Sequence, residues 1–129
     1  MIASLAEELY TNSIQLKKYN SRKLLFKKNR LVLEKELYQI HSQVNEIIIL
    51  LKDNPNYSVE HIKLATFMSN QITECILFLT TKEKAYRQTV NRYVLGFHNL
   101  PRAFLSSNSS MHISPDDALE YYKPYLKMD

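Results

Sequence analysis

The chain has 129 residues, of which 45% are hydrophobic and 23% charged, and its net charge is +4 at pH 7. One glycine and four prolines are too few for the many turns of a sheet. We therefore expect an all-α protein with one domain, residues 1–129. The only cysteine, Cys75, excludes an internal disulfide and a cysteine-rich zinc site, and we expect it to be buried and inert.

The first predicted helix covers about residues 5–52, which contain neither glycine nor proline. As one helix it would be about 70 Å long, and Ser4 with Glu7 would form a capping box at its start. Its second half carries an uninterrupted heptad seam, with apolar residues at alternating spacings of four and three: Leu33, Leu37, Ile40, Val44, Ile47 and Leu51. The same register continues towards the N-terminus but there places polar residues on the seam: Arg30, Lys23 and Asn12.

A turn over residues 53–57 ends this helix, because Pro55 cannot continue it. Ser58 is the expected N-cap of a second helix, about residues 58–99. A connection this short predicts a long antiparallel helical hairpin, coiled-coil-like, in which Ile40 faces Ile72. The second helix continues the seam with five apolar residues before it drifts: Ala65, Met68, Ile72, Cys75 and Leu79.

At the open end of this hairpin we expect a polar layer. The register places Arg30 near Lys82 and Glu83, so that Glu83 or Glu34 would pair with the Arg30 guanidinium. Such layers cost stability and fix the register of the two helices.

The C-terminal part predicts a loop and a short helix. Gly96 is either a C-cap or lies inside a helix that runs to just before Pro101, and residues 101–113 form a loop. Ser114 and Pro115 start a helix over about 115–122, which should end there because of Pro124. Two long helices bury only one stripe each. Either the C-terminal segment packs back on them, or two hairpins pair; we expect a homodimer that completes a four-helix bundle.

The sequence shows no pattern typical of catalysis, of a metal or of a cofactor. There is no glycine-rich phosphate loop and no H-E-x-x-H, and the four histidines are scattered. The acids Asp116, Asp117 and Glu120 fall at the start of a helix, where they favour the helix dipole. We therefore predict a protein that is not an enzyme, with no catalytic, metal-binding or cofactor-binding residues.

Two groups of residues are candidate partner-binding positions. Seven cations occur within residues 17–30 without an acid: Lys17, Lys18, Arg22, Lys23, Lys27, Lys28 and Arg30. On one straight helix, at about 100° per residue, they would form a collar around the helix instead of a stripe. The second group is the C-terminal trio Tyr121, Tyr122 and Tyr125, which suits either a partner surface or docking within the chain.

The function expected from these features is a helical protein–protein interaction module, such as an adaptor, chaperone or regulator. The basic residues are compatible with an acidic partner protein. The alternative is a helical protein that binds nucleic acid through the collar. No stretch is long and apolar enough to span a membrane, and the N-terminus lacks the basic region of a secretory signal, so we expect no membrane association and a cytoplasmic location.

Overall fold

The computed structural model describes residues 1–81 and 84–126, and within them the chain forms five α-helices and no strand. The helices are α1 (Ile2–Gln15), α2 (Lys27–Lys52), α3 (Val59–Leu79), α4 (Lys84–Gly96) and α5 (Pro115–Leu126). Four short 3₁₀ turns accompany them: Leu16–Lys18, Lys23–Leu25, Phe97–Asn99 and Pro101–Phe104. The all-α expectation is thereby confirmed.

The centre of the molecule is the packing of α2 against α3. All six seam residues of α2 are buried, and so are the five predicted for α3. The Nε2 atom of His41 lies 3.2 Å from the Ser69 hydroxyl oxygen and 3.3 Å from that of Thr73. His41 follows Ile40, and Ser69 and Thr73 precede and follow Ile72, so these contacts agree with the expected proximity of Ile40 to Ile72. The periodic apolar spacing therefore identified the residues that α2 and α3 bury.

The expected single helix over residues 5–52 is wrong, because the chain leaves the helix after Gln15 and starts α2 at Lys27. Tyr19 and Phe26 have extended backbone angles, and α1 turns back along α2. Two hydrogen bonds show this return: Asn12 donates to Gln43 (3.2 Å), and Tyr19 donates to Glu36 (2.9 Å).

Polar side chains stabilise this break in place of glycine or proline. The Lys23 amide donates to the Asn20 side-chain oxygen (2.8 Å), and the Asn29 side chain donates to the Lys23 carbonyl (2.8 Å). Arg30 donates to the Leu24 carbonyl (2.8 Å), and a second bond from the same nitrogen reaches the next carbonyl along the chain. Side-chain hydrogen bonds of this kind replace those that an uninterrupted helix would make.

Other local predictions at helix ends are mixed. Ser58 is the N-cap of α3, as predicted, and its amide donates to the Nδ1 atom of His61 (3.2 Å). The Ser4 capping box is wrong, since α1 begins at Ile2 with Met1 as its N-cap.

The expected polar layer around Arg30 is not formed with Glu34. Arg30 makes no hydrogen bond or ion pair with Glu34 in the described part of the chain. The expected neighbours Lys82 and Glu83 lie outside the described residues.

The expected second helix over residues 58–99 is also wrong, because α3 ends at Leu79. Thr80 and Thr81 donate their hydroxyl groups to carbonyls in the last turn of α3. From Lys84 onwards α4 packs back on α3, where the Tyr93 hydroxyl donates to the Glu74 carboxylate (3.0 Å).

The C-terminal segment joins the same core. The Ser114 hydroxyl accepts from the Asp117 amide (3.1 Å), which confirms the predicted start of α5. The helix continues through Pro124 to Leu126, so its expected end at Tyr122 is wrong. Gly96 ends α4 with a negative φ, and a Cβ atom at this position would overlap the ring of Tyr125.

One hydrophobic core therefore unites all five helices. The homodimer was expected because two helices alone would leave apolar stripes uncovered. Within the described residues, α1, α4 and α5 cover those stripes, so the argument for pairing two hairpins no longer applies.

Candidate functional site

The two interruptions of the helices meet at one end of the molecule. A cavity of about 360 Å³ joins the start of α2 to the end of α3, through Lys27, Arg30, Leu79 and Thr81 among others. A second cavity of about 190 Å³ joins Arg22 to Lys84 and Arg87 of α4. We call this region the basic end, defined by seven cations: Arg22, Lys23, Lys27, Lys28, Arg30, Lys84 and Arg87.

The basic end carries exposed apolar side chains among its cations. Leu25 is 54% exposed, Phe26 63% and Leu31 50%. The cations that precede and follow Leu25 and Phe26 in the sequence, Lys23 and Lys27, are exposed as well. Exposed apolar groups that are clustered in this way are typical of interaction surfaces.

Arg30 differs from the other cations of this end. Its guanidinium is partly buried and donates hydrogen bonds to the carbonyls of Leu24 and Leu25, which holds the backbone of these two residues. The residue is therefore a structural element of the surface, and its neighbours Lys27 and Lys28 present free charge. Both lysines stand in the first turn of α2, where the helix dipole disfavours positive charge.

The remaining predicted cations, Lys17 and Lys18, line neither cavity of the basic end and have other neighbours. The Lys18 ammonium pairs with Glu36 of α2 at 3.3 Å and lies 5.3 Å from the centre of the Tyr19 ring. Lys17 lies close enough to His98 to contribute to the low pKa of that imidazole. The predicted collar is therefore divided: Lys17 and Lys18 have neighbours elsewhere, and the other five cations lie in the break or in the first turn of α2.

The three C-terminal tyrosines do not act as a group. Tyr122 is wholly buried between the rings of Phe67 and Phe97, and its hydroxyl donates to the Tyr93 carbonyl at 3.3 Å. Tyr125 packs on Gly96. Tyr121 is 56% exposed and lies 5.2 Å below the Arg102 guanidinium, so among the three it offers the most surface. Docking within the chain is therefore the role of Tyr122.

Sequence reasoning missed two features of this surface. Lys84 and Arg87 were not singled out, because they are more than fifty positions away from Arg22 and only the fold brings them together. The exposure of Leu25 and Phe26 was also missed, since the heptad register that continues towards the N-terminus places Phe26 on the seam. The signal that could have revealed their exposure is Asn20-Ser21, a pair that competes with helix through its side-chain hydrogen bonds.

Titratable groups with altered pKa values lie away from the basic end. Desolvation by burial, with Lys17 and Arg102 nearby, lowers the pKa of His98 to about 4. Burial also lowers the pKa of His61, and it raises the pKa of the Cys75 thiol. His112, far from His61 in sequence, lies near enough to contribute to the lowered pKa of the His61 imidazole.

Among residues 1–81 and 84–126 we find no group of three or more histidine, cysteine, aspartate or glutamate residues that could hold a metal ion. The helices described over these ranges are all too short or too polar to cross a membrane. No protein family, curated protein or solved structure matches this chain.

Proposed function

We propose that this chain is a non-enzymatic interaction module that binds an acidic partner protein through its basic end. The observation that carries the proposal is the exposure of Leu25, Phe26 and Leu31 among lysines and arginines. Burial of these three side chains would supply affinity, and the surrounding cations would attract and orient an acidic surface.

Charge also determines which partner suits this surface. A symmetric dimer formed through the basic end would bring like charges together, since an isologous interface places the same patch on both sides. A second copy of this chain is therefore a poor occupant, and an acidic protein of a different sequence is a good one.

The test is affinity capture from the native host with the tagged chain. We expect a captured protein that is lost when Lys23, Lys27 and Lys28 are all changed to Glu. Acids at positions 27 and 28 would favour the dipole of α2, and Lys23 is exposed before that helix, so this variant should fold at least as well as the wild type. The matched control reverses three exposed lysines elsewhere: Lys35, Lys52 and Lys63.

Retention of the partner by the Lys23→Glu, Lys27→Glu, Lys28→Glu variant would contradict the proposal. Equal loss in the control variant would also contradict it, because the effect would then follow net charge alone. Circular dichroism of all three proteins should show the same helical content.

Nucleic acid is the second candidate. The break at residues 16–26 favours it more than a straight helix would, because the break leaves the aromatic ring of Phe26 exposed between the exposed Lys23 and Lys27 in the sequence. A gel shift with single-stranded and duplex DNA and RNA at two salt concentrations tests it. Binding through phosphates weakens steeply with salt, and no shift at low salt excludes this candidate.

A further inference from the structure

Two cavities lie at the basic end, and each is lined by residues from the segment around the break before α2 and from the region around the end of α3 and the start of α4. The larger, about 360 Å³, is lined by Lys27, Arg30, Leu31, Glu34, Leu79, Thr80 and Thr81. The smaller, about 190 Å³, is lined by Ser21, Arg22, Leu25, Lys84 and Arg87. Leu25 and Lys27, the residues before and after the exposed Phe26, line different cavities. On one side both cavities are lined by residues between Ser21 and Glu34, and on the other by Leu79, Thr80 and Thr81 or by Lys84 and Arg87.

Each cavity combines apolar side chains with cations. Leu31 and Leu79 form the apolar part of the larger cavity beside the Lys27 ammonium, and Leu25 does so in the smaller one beside Arg22. An apolar side chain that enters such a cavity leaves water, while an acid next to it in sequence remains within reach of the cation. The combination suits a partner that alternates apolar and acidic groups.

Glu34 narrows the choice of occupant for the larger cavity. Its carboxylate is partly buried in the wall, so an anionic group inside the cavity would meet a like charge. An apolar group avoids this repulsion. A phosphate backbone would also meet Glu34 and would leave Leu31 uncovered, which disfavours nucleic acid as the occupant of this cavity.

We infer that the partner contributes an acidic amphipathic helix, with one apolar side chain in each cavity and its carboxylates beside Lys27, Arg22 and Lys84. This inference rests on the proposed function, because it names the segment of the acidic partner that the basic end binds. Recognition of an amphipathic helix by an apolar groove follows the spacing of its anchor residues.

The test uses two synthetic peptides and fluorescence anisotropy. The first peptide has leucines at helical i, i+4 and i+7 spacing among glutamates, and the second keeps the glutamates and replaces each leucine with glutamine. We expect the first to bind about tenfold more tightly or better, since burial of one such side chain contributes at least about that factor.

Variants of the chain locate the binding site. Leu25→Gln and Leu31→Gln should each weaken binding of the leucine peptide about tenfold, and neither should unfold the protein because both side chains are exposed. Ile49→Gln is the matched control, since Ile49 is 64% exposed near the opposite end of α2. Its affinity for the peptide should equal that of the wild type.

Several results would overturn this inference. Equal binding of the two peptides, or no binding of either, would overturn it. The proposed function would survive that result if the host partner were still captured by the wild type and lost when the three lysines are reversed. Unchanged capture of the host partner by the Leu25→Gln and Leu31→Gln variants would also overturn the inference and leave the proposed function standing. Tighter binding to phosphatidylserine vesicles than to the peptide, lost in Leu25→Gln, would overturn the inference and the proposed function together.

Discussion

The buried imidazole of His98 should make the protein less stable in acid. His98 lies in the 3₁₀ turn Phe97–Asn99, its ring packs edge-on against Tyr10 at 6.1 Å, and its Nδ1 atom is buried without a hydrogen-bond partner in the described structure. Desolvation, with Lys17 and Arg102 nearby, lowers its pKa from 6.5 to about 4.

The sign and size of the effect follow from this difference. Above pH 6.5 the imidazole is neutral in the folded and unfolded chains, and it contributes nothing to the pH dependence. Between pH 6.5 and about 4 the unfolded chain binds a proton that the folded chain does not. The free energy of unfolding therefore decreases as the pH is lowered through this range. The full difference corresponds to at most about 3 kcal/mol, and because solvent reaches part of the ring we expect about 2 kcal/mol.

The assay is urea unfolding of the wild type and of His98→Gln at a series of pH values from about 7.5 to about 4.5. The difference at neutral pH measures the packing cost of the substitution. We expect the wild type to lose about 2 kcal/mol more than the variant over this range. Parallel curves, or an NMR titration that gives a pKa near 6.5 for the His98 ring, would refute the reasoning.

Three further predictions concern packing and assembly. Gly96→Ala should destabilise the protein by about 1–3 kcal/mol, because its Cβ atom would overlap the Tyr125 ring. In a double-mutant cycle it should add little to the cost of Tyr125→Ala; an equal cost of Gly96→Ala in the wild type and in Tyr125→Ala would refute the overlap. Leu37→Ala should cost about 2–5 kcal/mol in thermal or urea unfolding, whereas Tyr38→Ala, at the exposed neighbouring position, should cost far less. Light scattering should give a mass near 15.2 kDa at all concentrations, and twice that mass would show that the chain pairs after all.

The central packing could be predicted because its signal is local and periodic. Leu33 to Leu51 and Ala65 to Leu79 alternate at helical spacing, and the resulting apolar stripes are the faces that α2 and α3 bury. Ser58 and Ser114 were likewise predictable as N-caps, since a hydroxyl side chain before a helix satisfies amides of its first turn.

The breaks in the helices could not be predicted from breaker residues. Residues 16–26 contain neither glycine nor proline, and the chain turns there through bonds to Asn20, Asn29 and Arg30 together with the distant Glu36. A sum of local propensities does not include such long-range contacts. Pro124 gave the opposite error, since a helix end was predicted before it and α5 continues through it. A proline in the last turn of a helix removes only one hydrogen bond, and packing compensates for it.

The candidate site was predictable in part. Its cations were visible as a run without acids, but their arrangement depends on the break before α2, and Lys84 and Arg87 depend on the break before α4. Tyr122 could not be assigned from sequence, since an aromatic residue with a polar tip is equally suited to an interface and to a core that offers its hydroxyl an acceptor.

The two bonds from Arg30 to the Leu24 and Leu25 carbonyls have a consequence for binding kinetics. They hold the backbone that presents Leu25 and Phe26 before any partner arrives, so association requires little ordering of this segment. A preorganised surface of this kind should bind as fast as electrostatic steering allows, with a rate constant that falls as salt is added. Arg30→Met removes both bonds and one charge, so it should slow association more than Lys28→Met, which removes one charge alone.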